Sequence, residues 1–171
     1  KISTGNNMLD KMLLGGILRG SSTLLAGSTG AGKSLLCMQF VMEGLRKGEP
    51  CLYAGFEESK EQITRNAQGF GWNFSDYEKK GLLVMRSVYP SEKSLEEHLS
   101  DIKQIVESRK IKRGAVDSLS SVSHSFPEDI FINFAHRLNG YLKTQSITTF
   151  LTAATAALIG STTLTEAHLS T

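Results

Sequence analysis

The chain has 171 residues, 40% of them hydrophobic and 21% charged, which suits one globular domain with a substantial core and excludes a disordered or collagen-like chain. Its 19 basic and 17 acidic residues leave a net charge of +2, so composition gives no reason to expect a nucleic-acid or membrane-surface partner. No apolar run approaches the ~20 residues of a membrane-spanning helix, and no secretory signal opens the chain.

Short apolar segments alternate with helical segments along the chain. The predicted strands cover residues 22–26, 51–56, 82–88, 115–117 and 148–152. Four helices are predicted. The first covers residues 33–47, and the second is the charged stretch after Phe56. The third is marked by apolar residues at helical spacing, Leu95, Leu99, Ile102 and Val106, and the fourth begins at Pro127. This alternation predicts an α/β fold with a mainly parallel sheet and helices on both faces. Such a sheet needs more strands, so we expect C-terminal strands beyond residue 171.

A phosphate-binding motif joins the first strand to the first long helix. It reads Gly27-Ser28-Thr29-Gly30-Ala31-Gly32-Lys33-Ser34 and matches G-x-x-x-x-G-K-[ST] at every fixed position. The glycines let successive N–H groups point at phosphate oxygens, and the helix adds the positive end of its dipole. Lys33 is expected to contact the β- and γ-phosphates and Ser34 to bind Mg²⁺. The sequence therefore predicts a site for a nucleoside triphosphate with Mg²⁺.

Three carboxylates follow predicted strands. Glu57 and Glu58 come directly after the second strand, and Asp117 ends the fourth. Ligands of open α/β sheets bind at the carboxyl ends of the strands, so these side chains are expected near the P-loop. We predict that the two glutamates divide the work, one on the nucleophile and one on the metal or its partner, and that Asp117 binds Mg²⁺ through water. The alternative is that the glutamates only favour the N-terminus of the next helix.

Several motifs together resemble one family. GNNMLD at residues 5–10 and GGI at 15–17, ahead of the P-loop, are similar to the RecA-like branch that contains RadA and KaiC. The Glu-Glu pair in FEES at 56–59 narrows the resemblance to the KaiC group of circadian-clock ATPases and autokinases, and RNA at 65–67, FG at 70–71 and AVDSL at 115–119 agree with it. YP at 89–90, LEEHL at 95–99 and the ending HLST at 168–171 resemble the second of two tandem domains.

The resemblance implies one RecA-like P-loop NTPase domain over residues 1–171, incomplete at its C-terminus and second in the full chain. It implies ATP and Mg²⁺ as ligands, a hexameric ring with ATP at the subunit interfaces, and partners similar to KaiA and KaiB. It also implies slow ATP hydrolysis and autophosphorylation of Ser170 and Thr171, with Glu57 as general base and Glu58 as its helper. Phe70 falls where the family places an aromatic side chain against the nucleotide, and Leu35 completes the expected nucleotide-binding set.

Two other functions are compatible with a P-loop. One is a RadA/RecA-type DNA-dependent ATPase, which needs basic DNA-binding loops that the sequence does not offer, so a nucleic-acid partner is not expected. The other is a non-catalytic module in which ATP only holds subunits together. The sequence departs from the family pattern at three places. The run before Asp117 is interrupted at residues 112–114, and Ser34 replaces Thr, which is chemically benign. Residues 152–157 lack the expected Asn, Asp and Gln, which could sense the γ-phosphate, so altered catalysis is an expectation.

The remaining polar and aromatic features have structural interpretations. Cys37 and Cys51 suit neither a metal site nor a disulfide framework, and we interpret them as buried thiols in a reducing cytoplasm. The chain begins at Lys1 rather than at Met, so we expect further protein upstream. The basic segment 110–113 is predicted to be a solvated loop. The other structural predictions are turn or cap roles for Ser118 and Ser120, packing for Trp72, and surface or capping roles for His98, His124, His136 and His168.

Overall fold

The structure is a computed structural model that describes residues 1–155. Its strands are β1 (Ser22–Gly27), β2 (Cys51–Gly55), β3 (Leu83–Ser87), β4 (Arg113–Asp117) and β5 (Thr148–Ala154). Its α-helices are α1 (Asn7–Met12), α2 (Lys33–Arg46), α3 (Lys60–Gly69), α4 (Phe74–Lys79), α5 (Leu95–Arg109), α6 (Leu119–Ser125) and α7 (Glu128–Thr144), and a 3₁₀ turn covers Pro90–Glu92. Within this part of the chain no helix is both long and apolar enough to cross a bilayer.

The strands form a single parallel sheet in the order β1-β5-β4-β2-β3. The predicted α/β fold is thus confirmed, and each predicted strand and helix is present. The sequence did not predict α1, α4 and α6, because helices of six or seven residues are too short for a clear 3.6-residue repeat. Strand β4 starts at Arg113, and Gly114 pairs with Leu52 inside the sheet, so the residues that interrupt the apolar run still belong to the strand.

Helices cover both faces of the sheet. Alternate residues of each strand point to opposite faces, so Leu52 packs in one apolar cluster and its neighbour Tyr53 in the other. The first cluster includes side chains of α5, α6 and α7, and the second includes side chains of α2, α3 and α4. Both predicted buried thiols, those of Cys37 and Cys51, are buried and free. The resulting three layers fix the strands, so their carboxyl ends form one rigid edge.

The prediction of a solvated loop over residues 110–113 is wrong for Ile111, which is 4% exposed, and for Arg113, which is 0% exposed. Arg113 has several polar partners. Its Nε donates to Glu49 Oε2 at 2.8 Å, and its Nη1 donates to the carbonyl oxygens of Ser3 and Phe40, both at 3.0 Å. The guanidinium also lies 4.5 Å from the centroid of the Phe40 ring. A buried charge of this kind is tolerated because it is paired and hydrogen-bonded.

Gly44 in α2 makes room for Arg113. A Cβ at this position would lie 2.7 Å from Arg113 Cδ and 2.8 Å from Cys51 Sγ, and Arg113 cannot move aside without losing its partners. We expect Gly44→Ala to lower the free energy of unfolding by about 1–2 kcal/mol, because the overpacking outweighs the gain in helix propensity. Denaturant titration measures this change.

Gly140→Ala is the matched control for Gly44→Ala. Gly140 lies in the helix α7, is exposed, and would present its Cβ to open space. The same substitution there should raise the free energy of unfolding by up to about 1 kcal/mol. If Gly44→Ala raised the free energy of unfolding as much as Gly140→Ala does, Gly44 would not be needed to make room for Arg113.

The prediction of a surface or capping role is wrong for His98, which is fully buried. Arg86 Nη2 donates to His98 Nδ1 at 2.7 Å, so Nε2 carries the proton and donates to the carbonyl oxygen of Pro90 at 3.0 Å. Burial lowers the pKa of His98, in keeping with this neutral form. His124 and His136 are exposed, as predicted, and His168 lies outside the described residues.

Candidate nucleotide-binding site

The P-loop connects the end of β1 to the start of α2, as the motif predicts. Gly30 and Gly32 have φ angles of 81° and 86°, a left-handed conformation that residues with a Cβ rarely adopt. Lys33 Nζ donates to the carbonyl oxygens of Gly27 at 3.0 Å and Ser28 at 2.8 Å. The ammonium group therefore lies against the loop backbone, at the place where the motif predicts phosphate.

The helix α2 points its N-terminus into the same loop. Gly32 is its N-cap and carries no side chain to accept from the first N–H groups of the helix. Those N–H groups and the positive end of the helix dipole are available to an anion. Phe40 and Val41 of α2 are fully buried, which holds the helix rigidly on the sheet. The local backbone is thus built for phosphate binding.

A cleft of about 340 Å³ opens beside the P-loop. It is lined by Thr29, Gly30, Gly32, Lys33, Ser34, Leu35, Glu57, Glu58, Asp117, Ser118 and Ala154. The fold thus brings the three predicted carboxylates to the P-loop, because β2 and β4 are adjacent parallel strands that end at the same edge. Gly27, Ser28 and Ala31 belong to the loop but do not line the cleft.

Asp117 is held from both sides. Tyr53 on β2 donates its hydroxyl to Asp117 Oδ2 at 2.7 Å, and Thr152 on β5 donates to Oδ1 at 2.6 Å. Burial and the Asp117 charge raise the pKa of the Tyr53 phenol, so it remains a donor at neutral pH. The sequence does not point to Tyr53, because it lies in an apolar strand segment without a motif of its own, and it marks Thr152 only as the first residue of the segment that lacks Asn, Asp and Gln.

Glu57 is exposed to the cleft, and its Oε1 accepts a hydrogen bond of 2.5 Å from the hydroxyl of Ser118. Ser118 stands at the N-cap position of α6, where a cap role was predicted, but its side chain caps no N–H of that helix. Its hydroxyl instead orients Glu57. Ser120, also interpreted as a turn or cap residue, accepts from the backbone N–H of Ala154 at 2.6 Å, which ties α6 to β5.

Glu58 lies in a different environment from Glu57, although the two are adjacent in sequence. Burial raises the pKa of Glu58, and the charges of Asp117 and Glu57 raise it further, while a hydrogen bond from Asn66 opposes the shift. Asn66 Nδ2 donates to Glu58 Oε2 at 3.1 Å, and Ser87 Oγ donates to the Glu58 carbonyl oxygen. Glu58 therefore keeps its proton to a higher pH than an ordinary glutamate.

The residues at the cleft suit Mg²⁺. They offer the Ser34 hydroxyl and the carboxylates of Glu57 and Asp117. Over residues 1–155 no group of three or more His, Cys, Asp or Glu side chains is arranged to hold a metal ion. A sparse set of oxygen donors fits Mg²⁺, which usually keeps several waters and binds phosphate oxygens rather than an all-protein cage.

The structure does not place Phe70 in the cleft. Its side chain is 55% exposed at the C-cap of α3, and its ring stacks on Trp72 with centroids 5.3 Å apart. Trp72 packs against the second apolar cluster, which confirms its predicted packing role. Contact between Phe70 and nucleotide stays a prediction, and the expected phosphoacceptors Ser170 and Thr171 lie outside the described residues.

Comparisons with known proteins show what this chain is similar to. The family model for the KaiC ATPase matches residues 2–168. The circadian clock oscillator protein KaiC of Picosynechococcus is 40% identical over 100% of this chain and 33% of its own length, and the circadian clock protein KaiC3 of Synechocystis is 40% identical over 100% and 34%. The chain thus spans about a third of the length of these relatives.

A solved structure has the same fold. It is a KaiC-like protein from Pyrococcus horikoshii, with a TM-score of 0.83 and 29% sequence identity, and the match covers 90% of this chain and 70% of that one. Its likeness agrees with the parallel sheet and the helices described above. On the evidence of the family model, the relatives and the shared fold, the chain belongs to the KaiC ATPase family.

Proposed function

We propose that this domain binds ATP with Mg²⁺, hydrolyses ATP slowly, and transfers the γ-phosphoryl group to its own Ser170 and Thr171. The observation that carries the proposal is the meeting of Lys33 with Glu57 and Asp117 around one cleft. Membership of the KaiC ATPase family favours ATP as the nucleotide. The HLST ending supports the choice of acceptors through its resemblance to the second KaiC domain.

The proposed roles follow from the positions of the side chains. Lys33 and the N-terminal N–H groups of α2 stabilise charge on the phosphates. Ser34 and Asp117 would hold Mg²⁺, which would supply neutralisation of charge on the transferred group. Glu57 accepts the proton of the attacking water or hydroxyl. The oxygen–phosphorus bond to the acceptor forms as the bond from the γ-phosphorus to the bridging oxygen breaks, and ADP leaves. Glu58, which also lines the cleft, assists Glu57.

We further propose a ring, a hexamer as in the family resemblance, with ATP at the subunit interfaces. In such a ring we propose that the γ-phosphoryl group passes across a subunit boundary, from the ATP of one subunit to Ser170 and Thr171 of the neighbouring copy. Each phosphate added to Ser170 or Thr171 brings about −1.5 to −2 charge and three strong acceptors, which is enough to change contacts between subunits. A role in a circadian or related timer, with partners similar to KaiA and KaiB, is part of the same proposal.

Phosphate mapping tests the kinase activity. The complete native protein is incubated with ATP and Mg²⁺, and its peptides are analysed by mass spectrometry. We expect phosphate on Ser170 and Thr171 and none in EDTA. Ser161 and Thr162, a second Ser-Thr pair in the same segment, serve as an internal control that should stay unmodified. If neither Ser170 nor Thr171 carries phosphate, autophosphorylation is refuted while ATP binding is unaffected.

A further inference from the structure

We infer that Tyr53 is a positioning residue for the Mg²⁺ site: its hydroxyl fixes the orientation of the Asp117 carboxylate, and so sets how tightly the site binds Mg²⁺. The inference rests on the proposed function, because it assumes that Asp117 helps to hold the metal ion. Tyr53 itself does not line the nucleotide cleft.

The sheet brings two donors to Asp117 from opposite sides. Strand β4 lies between β2 and β5, and Tyr53 pairs with Ala115, two residues before Asp117. Its hydroxyl reaches Asp117 Oδ2 at 2.7 Å, and Thr152 reaches Oδ1 at 2.6 Å. Each carboxylate oxygen thus has one donor, and hydrogen bonds to an ionised acceptor are short and strong. With both oxygens held, the carboxylate cannot rotate.

A small cavity lies beside Asp117. Its volume is about 10 Å³, room for about one water molecule. Its lining residues are Ser34, Tyr53, Gly55, Glu57, Glu58, Ile63 and Asp117. Tyr53 is therefore a wall of the space between Asp117 and Ser34, the two groups proposed to hold Mg²⁺. The phenol that orients Asp117 also shapes the place where a bridging water fits.

The Tyr53 hydroxyl is also not required to fill the core. The Tyr53 ring is 2% exposed and packs in the second apolar cluster, and a phenylalanine ring would fill the same space. Removing the hydroxyl leaves Asp117 Oδ2 without its donor, so that the bond from Thr152 to Oδ1 alone restrains the carboxylate and it turns more freely. Outer partners of metal ligands typically contribute 10- to 100-fold in metal affinity or activity.

Tyr53→Phe tests the inference, with Tyr141→Phe as the matched control. Tyr141 on α7 also donates its hydroxyl to a carboxylate, that of Glu107 at 3.1 Å, and it does not line the cleft. Both variants are made in the complete native protein. ATP hydrolysis is measured across a range of Mg²⁺ concentrations, and the rate that remains in Lys33→Ala is subtracted, so that only turnover at this P-loop is counted.

We expect Tyr53→Phe to raise the Mg²⁺ concentration for half-maximal hydrolysis by about 10-fold or more. Binding of a fluorescent ATP analogue in EDTA should be unchanged, because the phenol acts through the metal site. Tyr141→Phe should match the wild type in both assays. Thermal unfolding is recorded for each variant, and the titrations are run at a temperature at which all of them are folded.

The outcomes separate this inference from the proposed function. A wild type without Mg²⁺-dependent hydrolysis above the Lys33→Ala rate would overturn both. If hydrolysis by the wild type depends on Mg²⁺ but Tyr53→Phe reaches half-maximal hydrolysis at the same Mg²⁺ concentration, only the role of Tyr53 is overturned. The same holds for a Tyr53→Phe variant that is slower at every Mg²⁺ concentration but half-saturates at the wild-type value.

Discussion

Lys33→Ala is expected to reduce both ATP hydrolysis and autophosphorylation at this site by about 10³-fold. Lys33 is the cationic side chain that lies against the P-loop backbone, where its ammonium contacts the carbonyl oxygens of Gly27 and Ser28. Phosphoryl transfer depends on positioning and on charge stabilisation, and removal of this cation leaves the γ-phosphate with backbone N–H groups and the metal ion alone. The affinity for ATP should fall as well, since Lys33 also contacts the nucleotide before reaction.

The measurement is release of phosphate from ATP, with nucleotide binding followed in parallel by a fluorescent analogue. Lys112→Ala is the control, because it removes the same charge from an exposed residue. Lys112 lies just before β4, at the amino ends of the strands and so at the end of the sheet opposite the P-loop. The Lys112→Ala variant should behave as the wild type does. If Lys33→Ala retains full ATP affinity and turnover, the cleft is not the nucleotide site.

Glu57→Gln is expected to slow hydrolysis by about 10²- to 10⁴-fold while ATP still binds. Glutamine has the same shape and can accept the hydrogen bond that Ser118 gives to Oε1, so the side chain should stay in place. It cannot take a proton, so the general base is lost while the geometry remains. This separates catalysis from binding more cleanly than a truncation does.

Glu96→Gln is the control for the change in charge. Its side chain is 70% exposed on α5, where it pairs with Arg137, and exposed ion pairs contribute little to stability. Hydrolysis and ATP affinity are measured for both variants. If the wild type and Glu57→Gln are equally close to zero, the domain is a non-catalytic module in which ATP holds subunits together. If Glu57→Gln hydrolyses ATP at the wild-type rate, another group is the base.

Much of the site could be predicted from the sequence, because its main parts are local. The P-loop is a continuous segment, and its glycines and Lys33 are enough to predict the conformation of the loop and the position of the phosphates. Glu57 and Asp117 could be assigned to one edge without knowledge of side-chain contacts, since parallel strands align their carboxyl ends. The role of Ser118 was not predicted. The sequence shows that Ser118 follows Asp117, but its hydrogen bond to Glu57 depends on the pairing of β2 with β4.

The errors have a common cause. Arg113 and His98 are polar residues in polar stretches of sequence, and from sequence both indicate exposure. Arg113 is buried because Glu49 and two backbone carbonyl groups from distant segments surround it. His98 is buried because Arg86 from β3 and the carbonyl group of Pro90 meet it. No local pattern records partners that come from elsewhere in the chain.

The sequence by itself determined the five strands and the four longer helices in their order along the chain, the P-loop, and the edge of the sheet at which its carboxylates lie. These features depend on the period of apolar residues and on backbone conformations that glycine permits, both of which are local. Only the tertiary structure decided how those carboxylates are held. Tyr53 and Asp117 are 64 positions apart, and their hydrogen bond exists because β2 pairs with β4 in one particular register. A shift of one residue would turn Tyr53 to the other face of the sheet, away from Asp117.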